Sequence, residues 1–238
     1  MDRNLALEFV RVTEAAAIAS AKWLGRGDKN AADQAAVDAM RDRFNFIDFS
    51  GEVVIGEGTK DQAPELYIGE KLGNGNGAEF DIAVDPLECT DSVANGKPNA
   101  ISVIATGVKN SLFRAPDTYM DKIACGPAAK GAIDLDASIE ENVGRVAEKL
   151  KKDISEMVLV ALDRDYNKAT IEEIRRLGAR VLLISDGDVA GAIATCLPDS
   201  GIDLLIQKGA SAEGVLAAVA IKCLGGDFQG RLSPKNEE

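Results

Sequence analysis

Apolar residues near the start of the chain recur at helical spacing, whereas several later segments have the spacing of strands. The apolar positions from Leu5 to Trp23 fall on one face of a helix, which Gly25-Arg-Gly27 ends. A second helix is predicted over residues 31–44, and the glycine-rich stretch 73–77 predicts a turn. Four strands are predicted in this half, at Val53–Ile55, Leu66–Ile68, Phe80–Val84 and Ile101–Thr106.

The second half of the chain alternates strands with helices. Ser138 with Glu141, and Thr170 with Glu173, have the spacing of capping boxes and predict that two helices begin there. Strands are predicted at residues 158–162, 181–184 and 204–206, and further helices at 189–196 and 213–224. This order predicts an α/β fold with a parallel sheet and helices on its faces. The polar tail from Leu232 onward is expected to fray.

The change of pattern near residues 131–136 predicts two α/β domains, residues 1–133 and 134–238. The longest apolar run, Val215–Ile221, is too short to cross a membrane, and the first ten residues lack the pattern of a signal peptide. The four cysteines are widely spaced, with no CxxC motif. A reduced, cytoplasmic setting is therefore expected.

The charge balance restricts the partners and the chemistry of this chain. Its 39 acidic and 27 basic residues give a formal net charge of -12, and no Lys/Arg-rich tract is present. Nucleic acid and anionic membranes are therefore not expected as partners. The absence of histidine excludes Ser-His-Asp and Cys-His catalysis and histidine metal sites, so catalysis must use carboxylates, hydroxyls or metals. Carboxylates that hold metal cations would let an acidic protein bind phosphate.

The strongest local signal is the stretch from Asp81 to Asp91. Its apolar run ends at Asp85-Pro86, and because Pro86 has no N–H for a sheet ladder, the strand is expected to stop at Asp85. Asp85, Glu88 and Thr90 would then lie together at a strand's carboxyl end, where open α/β sheets bind ligands. Two carboxylates and a hydroxyl suit Mg²⁺ or Mn²⁺, which prefer oxygen ligands.

Other acids are ambiguous by themselves. Glu57, between two glycines after a strand, is either a solvated loop acid or a metal ligand that joins Asp85 and Glu88. Asp33, early in a predicted helix, is by itself better explained as a first-turn acid favoured by the helix dipole. Asp188 is either a helix N-cap or part of an anion-binding turn.

The segment that follows the strand at 204–206 offers two charged candidates. Glu213 could be a further metal ligand, and Lys208 could offset the charge of a phosphate. Cys89 is read as a structural or redox-sensitive thiol rather than a nucleophile, because neighbouring carboxylates disfavour a thiolate.

Taken in order, these motifs resemble the class II fructose-bisphosphatase family of the lithium-sensitive sugar and inositol phosphatase superfamily. The matching segments cover essentially the whole chain: Arg11–Glu14, Trp23–Asn30, Val53–Gly58, Ala63–Pro64, Tyr67–Glu70, Asp81–Thr90, Ala115–Asp117, Tyr119–Met120, Asp186–Asp188 and Glu213–Ala217. The resemblance implies a layered α/β sugar-phosphatase fold with alternating helix and sheet layers, and divalent metals, Mg²⁺ or Mn²⁺, that bridge protein and phosphate. It assigns metal and phosphate binding to domain 1–133 and sugar-phosphate binding to domain 134–238.

The resemblance also implies roles for individual residues. The implied metal ligands are Asp33, Glu57, Asp85, Glu88 and Glu213. The implied catalytic residues are Glu57, Asp61 and Thr90, of which Thr90 orients the attacking water. The implied substrate-binding residues are Glu88, Cys89, Thr90, Tyr119, Arg164, Asp165, Tyr166, Asp186, Gly187, Asp188 and Ala210.

Several positions depart from the family pattern. Cys89 stands where the family has a glycine, and Thr59 where it has a glutamate. Tyr166 replaces a phosphate-binding arginine and Asp165 adds a negative charge, which should weaken binding of the distal phosphate. Family members are also expected to extend further past Leu232.

The expected function is metal-dependent removal of the 1-phosphate of fructose 1,6-bisphosphate, and possibly of sedoheptulose bisphosphate, in gluconeogenesis. Such a protein would be a phosphoric monoester hydrolase with a small sugar phosphate as partner, and we expect a homo-oligomer. Two alternatives stay open on sequence grounds. The departures at Cys89, Asp165 and Tyr166 also suit a non-catalytic protein that binds phosphometabolites, or a phosphatase that acts on a different sugar monophosphate.

Overall fold

Two long helices and a four-stranded sheet make up the first part of the computed structural model, which describes residues 3–57 and 66–234. The elements of this part are α1 (Arg3–Ala21), α2 (Lys29–Phe44), β1 (Ser50–Ile55), β2 (Lys71–Leu72), β3 (Glu79–Glu88), α3 (Thr90–Ala94) and β4 (Ile101–Val108). The strand order is β2-β1-β3-β4, with β1 and β3 parallel and the other pairs antiparallel.

Helices α1 and α2 bury their apolar faces against this sheet. Four phenylalanines from the helices and from the strands and their connections form the centre of the core: Phe9, Phe44, Phe49 and Phe80. The Phe9 ring meets the Phe49 ring edge to face at 5.1 Å between centroids, a favoured aromatic arrangement. The helical spacing seen in the sequence therefore corresponds to the buried face of α1.

The glycine-rich turn is confirmed, but one predicted strand in this half is wrong. Gly73, Gly75 and Gly77 all have positive φ, so the backbone there uses conformations that favour glycine. Residues 66–68, predicted as a strand, form a turn region, and β2 lies at Lys71–Leu72 instead. A short apolar run did not distinguish a strand from a buried turn, because Leu66 is buried with no strand pairing.

Strand β3 passes through Pro86 instead of stopping at Asp85. Asp85 pairs with Val103 of β4 and Glu88 pairs with Ile101, so three steps along β3 match two along β4. This extra residue is a β-bulge, which accommodates a proline that cannot donate to the ladder. The Pro86 carbonyl accepts a hydrogen bond from Ser102 Oγ at 2.7 Å. The prediction that the strand ends at Asp85 is thus wrong, although its pairing does shift there.

The second part of the chain is a five-stranded sheet with helices on both faces. Its elements are β5 (Tyr119–Cys125), α4 (Ile139–Leu150), β6 (Val158–Leu162), α5 (Lys168–Arg176), β7 (Arg180–Ile184), α6 (Asp188–Ala194), β8 (Leu204–Ala210), α7 (Ser211–Leu224) and β9 (Asp227–Ser233). The strand order is β7-β6-β8-β5-β9. Within this part the helix and sheet layers alternate, as an α/β phosphatase fold requires.

Adjacent strand residues in this sheet serve two separate cores. Leu159 and Leu204 pack with α4 and α5, whereas Val160 and Leu205 pack with α6 and α7. This follows from the two-residue period of a strand, in which successive side chains point to opposite faces. Burial on both faces explains the nearly continuous apolar runs of β6 and β8.

The second-half predictions are confirmed where local signals are strong. Ser138 and Glu141 form the capping box that opens α4. Thr170, by contrast, lies inside α5, which begins at Lys168 after a 3₁₀ turn at Asp165–Asn167. The sheet is mixed rather than parallel, because β5 runs antiparallel to both β8 and β9. Leu232, expected in a frayed tail, is part of β9 and pairs with Met120.

The chain divides into two compact units between Ala115 and Pro116. The predicted domain boundary lay later, after residue 133. Residues 116–133 belong to the second unit because β5 is an inner strand of its sheet, hydrogen-bonded on both sides. Among the described residues, no helix is long and apolar enough to cross a membrane.

Gly144 gives a stability prediction within helix α4. A Cβ added there would meet no atom within 4 Å, and the backbone is helical. Gly144→Ala should therefore stabilise the protein by about 0.5–1 kcal/mol, because glycine has more conformational freedom to lose on folding. Chemical denaturation of the two proteins will measure the difference. A loss of stability would contradict the described packing around α4.

Candidate active site

The parallel pairing of β1 and β3 places Glu57 and Asp85 at matching positions along the sheet. Ile55 is the register partner of Ala83. Asp85, within β3, and Glu57, just past the end of β1, each lie two residues beyond these partners, and neighbouring strands of a sheet are about 4.8 Å apart. Both residues therefore lie at the same level along the two central strands of the sheet. Both side chains are half-buried.

The bulge after Asp85 sets the positions of the next three site residues. Asp85 Oδ1 accepts a hydrogen bond from the Leu87 backbone N at 3.1 Å, which fixes its carboxylate over the turn. Glu88 ends β3 and is buried, and Thr90 begins α3. Cys89, between them, has φ 75° and ψ 53°, which is the left-handed conformation. A bulge and a left-handed residue together turn the chain sharply from strand to helix.

Asp33 lies near the start of α2, and that start is tied to α3. The backbone N–H groups of Gly25 and Gly27 donate to the carbonyls of Val93 and Ala94, both at 2.8 Å. Asp28 caps α2 by accepting from the Ala31 backbone N at 2.9 Å. These contacts hold the beginning of α2 beside the helix that carries Thr90. Asp61, the remaining predicted catalytic acid, lies outside the described residues.

In the second unit, the acidic residues Glu213 and Asp188 lie near Lys122. Glu213 is in the first turn of α7, and Asp188 is the first residue of α6 after Gly187 at its N-cap. Burial raises the pKa of the Glu213 carboxyl, and the negative charges of Asp188 and then Asp186 add to the rise, while Lys122 opposes it. Asp188 is not the helix cap considered from sequence, because its side chain bonds Lys122 Nζ at 2.6 Å.

The predicted sugar-phosphate residues of this unit lie at the ends of neighbouring strands. Tyr119 and Ala210 are register partners on β5 and β8. The Tyr119 ring lies 5.1 Å from the Tyr166 ring, centroid to centroid. Burial is the main cause that raises the pKa of the Tyr166 hydroxyl, with a contribution from Tyr119 that Arg164 opposes. Asp165 is exposed and pairs with Lys168 at 2.7 Å.

The residue chemistry fits a hard divalent metal ion. The predicted ligands supply only carboxylate oxygens, which suit Mg²⁺ and Mn²⁺. Glu213 Oε2 is buried and accepts no hydrogen bond from the described residues, so it has unused capacity to bind a cation. Within residues 3–57 and 66–234, no three acidic or cysteine side chains come close enough together to hold a metal by themselves. The ligand roles therefore stay predictions.

The left-handed backbone at Cys89 makes a clear prediction about substitutions there. A residue with a Cβ pays about 1–2 kcal/mol in this conformation, and glycine does not. Cys89→Gly should therefore be more stable than Cys89→Ala by about 1 kcal/mol, the reverse of the usual order of these residues. Urea denaturation of both variants, which each lack the buried thiol, will measure the difference. The opposite order would show that the backbone at this position is not strained.

Sequence reasoning missed two polar residues of the second unit, Lys122 and Gln207. Both are almost completely buried, at 3% exposure each, and both contact Asp188. Lys122 lies in β5, a strand that the sequence analysis did not predict. The sequence did contain one signal for this contact, a single lysine within the run Met120–Cys125. A lysine that is buried in a strand requires a partner of opposite charge.

The helix and sheet layers, with carboxylates at strand ends, define an α/β phosphatase. The chain belongs to the family described as bacterial fructose-1,6-bisphosphatase, glpX-encoded, whose model matches residues 3–238. The class 2 fructose-1,6-bisphosphatase of Haemophilus influenzae is 54% identical over 237 residues, which are 100% of this chain and 71% of that protein. Fructose-1,6-bisphosphatase 1 class 2 of Escherichia coli K12 is 51% identical, with 100% and 70% covered. The resemblance inferred from the motifs is confirmed, and membership implies a metal-dependent phosphatase.

Proposed function

We propose that this chain is a phosphoric monoester hydrolase that removes the 1-phosphate of fructose 1,6-bisphosphate in gluconeogenesis. The observation that carries this proposal is the parallel register of β1 and β3, with Glu57 and Asp85 each two residues beyond a paired position. The identity of 51–54% to class 2 fructose-1,6-bisphosphatases along the whole chain supports the same reaction.

The chain's carboxylates supply the ligands for Mg²⁺ or Mn²⁺ in this proposal. In the first unit these are Asp33, Glu57, Asp85 and Glu88, and in the second unit Glu213. A bound divalent ion would act as a Lewis acid on the phosphate and lower the pKa of a bound water. For Asp85, the protein's own contribution is to fix the carboxylate, which the bulge at Pro86 and the hydrogen bond from Leu87 N do.

The remaining residues bind and orient the substrate and the water. Thr90, half-buried at the start of α3, offers a hydroxyl that can accept a hydrogen bond from the attacking water and hold it in line. Asp61 is the proposed acid near the same centre. In the second unit, Arg164 offers positive charge to a phosphate. Tyr119, Tyr166, Asp186, Gly187, Asp188 and Ala210 complete the proposed sugar-phosphate contacts.

A phosphate-release assay tests this proposal directly. Purified protein is incubated with fructose 1,6-bisphosphate and either Mg²⁺, Mn²⁺ or a chelator. Release of phosphate that requires a divalent metal is the expected result. If neither fructose 1,6-bisphosphate nor any other sugar phosphate in a panel releases phosphate with either metal, the proposal is wrong.

One observation favours a second candidate, a phosphatase for a sugar without a distal phosphate. Tyr166 packs its ring against Tyr119, at a position where the resemblance to the family implies an arginine for the distal phosphate. The charge of Asp165 is partly balanced, because Lys168 lies 2.7 Å away and helps lower the pKa of that carboxyl. The ratio of kcat/KM for fructose 1,6-bisphosphate, sedoheptulose bisphosphate and sugar monophosphates will separate the two candidates.

The cellular location and the oligomeric state of the protein are also proposals. The structure has no disulfide among its described residues, which include all four cysteines, and this supports a reducing, cytoplasmic setting. Leu7, Val10 and Ile18 of α1 are 59%, 50% and 67% exposed and fall on one helix face. That apolar face supports self-association into a homo-oligomer, which light scattering of the purified protein would test.

A further inference from the structure

Lys122 of strand β5 belongs to a buried ion pair and has no role in the function proposed above. The side chain of Lys122 is 1% exposed, and its Nζ lies 2.6 Å from Oδ2 of Asp188, whose side chain is 5% exposed. Charges removed from water in this way are tolerated only when each has a partner of good geometry. The ion pair therefore restricts the positions of both side chains.

Gln207 of β8 adds a second donor to the same oxygen. Its Nε2 donates to Asp188 Oδ2 at 3.1 Å. Its Oε1 accepts from the Leu162 backbone N at 2.7 Å, which determines the orientation of the amide. Because the backbone of β6 holds Gln207, and Gln207 and Lys122 both hold Asp188, the carboxylate has a single defined position.

Two glycines leave the space that this arrangement needs. A Cβ at Gly209 would fall far inside contact distance of Asp188 Oδ2 and 3.0 Å from Lys122 Nζ. A Cβ at Gly214 would lie 3.4 Å from Lys122 Cε and closer still to Met120 Sδ. The side chains of Lys122 and Asp188 are thus closely packed and have little freedom to move.

The other oxygen of Asp188 has no such partner. Oδ1 is buried and receives no hydrogen bond from the residues that the structure describes. A buried acceptor without a donor destabilises a fold, so native proteins rarely keep one without a functional reason. Asp188 therefore has one oxygen saturated by the protein and one available to a ligand that donates a hydrogen bond.

We propose that Lys122 and Gln207 are positioning residues that orient Asp188 so that its Oδ1 accepts a hydrogen bond from a hydroxyl of the sugar phosphate. The inference rests on the proposed function for the identity of that ligand. It adds that substrate affinity depends on a lysine and a glutamine that do not themselves touch the sugar. Hydroxyl recognition of this kind discriminates strongly against ligands that lack the hydroxyl, because the carboxylate oxygen then stays unpaired.

The test uses Lys122→Met, which keeps most of the side-chain length and removes the charge. KM for fructose 1,6-bisphosphate should rise roughly 10-fold to 100-fold, with kcat changed much less, because a charge-assisted hydrogen bond is lost around Asp188. Hydrolysis of p-nitrophenyl phosphate, which has no sugar hydroxyl, should be little affected. A purely structural role of Lys122 would lower both reactions in the same proportion.

Lys152→Met is the matched control. Lys152 Nζ also lies 2.6 Å from a carboxylate, that of Asp203, in the same unit but outside the predicted site. The same lysine-to-methionine change there should leave both KM values unaltered. An equal rise of KM in this control would overturn the positioning role, because it would show a general effect of losing an ion pair.

Calorimetric titration with fructose 6-phosphate, the product of the proposed reaction, separates this inference from the proposed function. The ligand keeps the sugar hydroxyls and requires no turnover, so a wild-type protein that binds it without hydrolysing the bisphosphate refutes only the proposed function. In that case, the Lys122→Met variant should bind fructose 6-phosphate at least roughly 10-fold more weakly than the wild-type protein does. Gln207→Met, which leaves the ion pair intact, should weaken binding in the same direction and decides the test if Lys122→Met does not fold. Unchanged affinity in a folded variant would overturn the inference.

Discussion

Replacing Asp85 with asparagine is expected to lower kcat for metal-activated phosphate release by roughly 1000-fold or more, because metal ions supply several kcal/mol of transition-state stabilisation. Asparagine keeps an Oδ1 that can accept the hydrogen bond from Leu87 N, now at 3.1 Å, so the turn should survive. What is lost is the negative charge of a proposed metal ligand. Glu57→Gln should have a comparable effect, because it removes the charge of a second proposed ligand.

The measurement is kcat for fructose 1,6-bisphosphate as a function of Mn²⁺ concentration, with folding verified by circular dichroism. Glu52→Gln is the matched control, since Glu52 also lies in β1. Its carboxylate is held by Lys71 at 2.7 Å and Arg114 at 3.0 Å, and hydrogen bonds from these two side chains lower its pKa. This variant should keep kcat within a few-fold of wild type. Asp85→Asn protein with most of its activity and an unchanged Mn²⁺ requirement would refute the ligand assignment.

Gly56→Ala is expected to have the largest combined effect on stability and activity. A Cβ at Gly56 would overlap the backbone carbonyl of Leu66 and lie 2.7 Å from Val53 Cγ1. Because a backbone carbonyl cannot move as a flexible side chain can, the end of β1 must shift. Overpacking of this kind costs about 1–3 kcal/mol and occasionally more. Glu57, the next residue, would be displaced, and a misplacement of about 1 Å can reduce the rate roughly 100-fold.

Thermal or urea denaturation measures the first effect, and kcat of the folded fraction measures the second. Gly144→Ala makes the same chemical change at a position with open space, so it should raise stability and leave kcat unaltered. If Gly56→Ala unfolds at the same urea concentration as wild type and keeps full activity, then the close approach of Leu66 to the strand end is not required for the site.

Much of the fold follows from local sequence patterns. The capping box of Ser138 and Glu141 predicts the start of α4, and the apolar runs predict β6 and β8, because these signals depend on residues close together in the chain. The carboxylates of Glu57 and Asp85 were candidates for the same reason. Each follows an apolar run in the sequence and lies next to a glycine or a proline.

The structural features that the sequence analysis missed share a different cause. Strand β5 was missed because Tyr119–Cys125 includes Asp121 and Lys122, and its pairing partners on β8 and β9 lie far away in the chain. The bulge at Pro86 could not be seen either, since the pairing partner that accommodates it, β4, is known only from the folded sheet. Tertiary pairing overrides local preference where burial and hydrogen bonding outweigh it.

Residue type and local spacing alone were enough to predict the family and the oxygen-only ligand chemistry, and to single out Glu57 and Asp85 as candidate ligands. The folded sheets show which groups come together: the parallel register of β1 and β3 relates Glu57 to Asp85, and Lys122 contacts Asp188, 66 residues away in the chain. The physical reason is that a buried charge must find its partner through packing of the whole sheet, and no local pattern specifies such a partner.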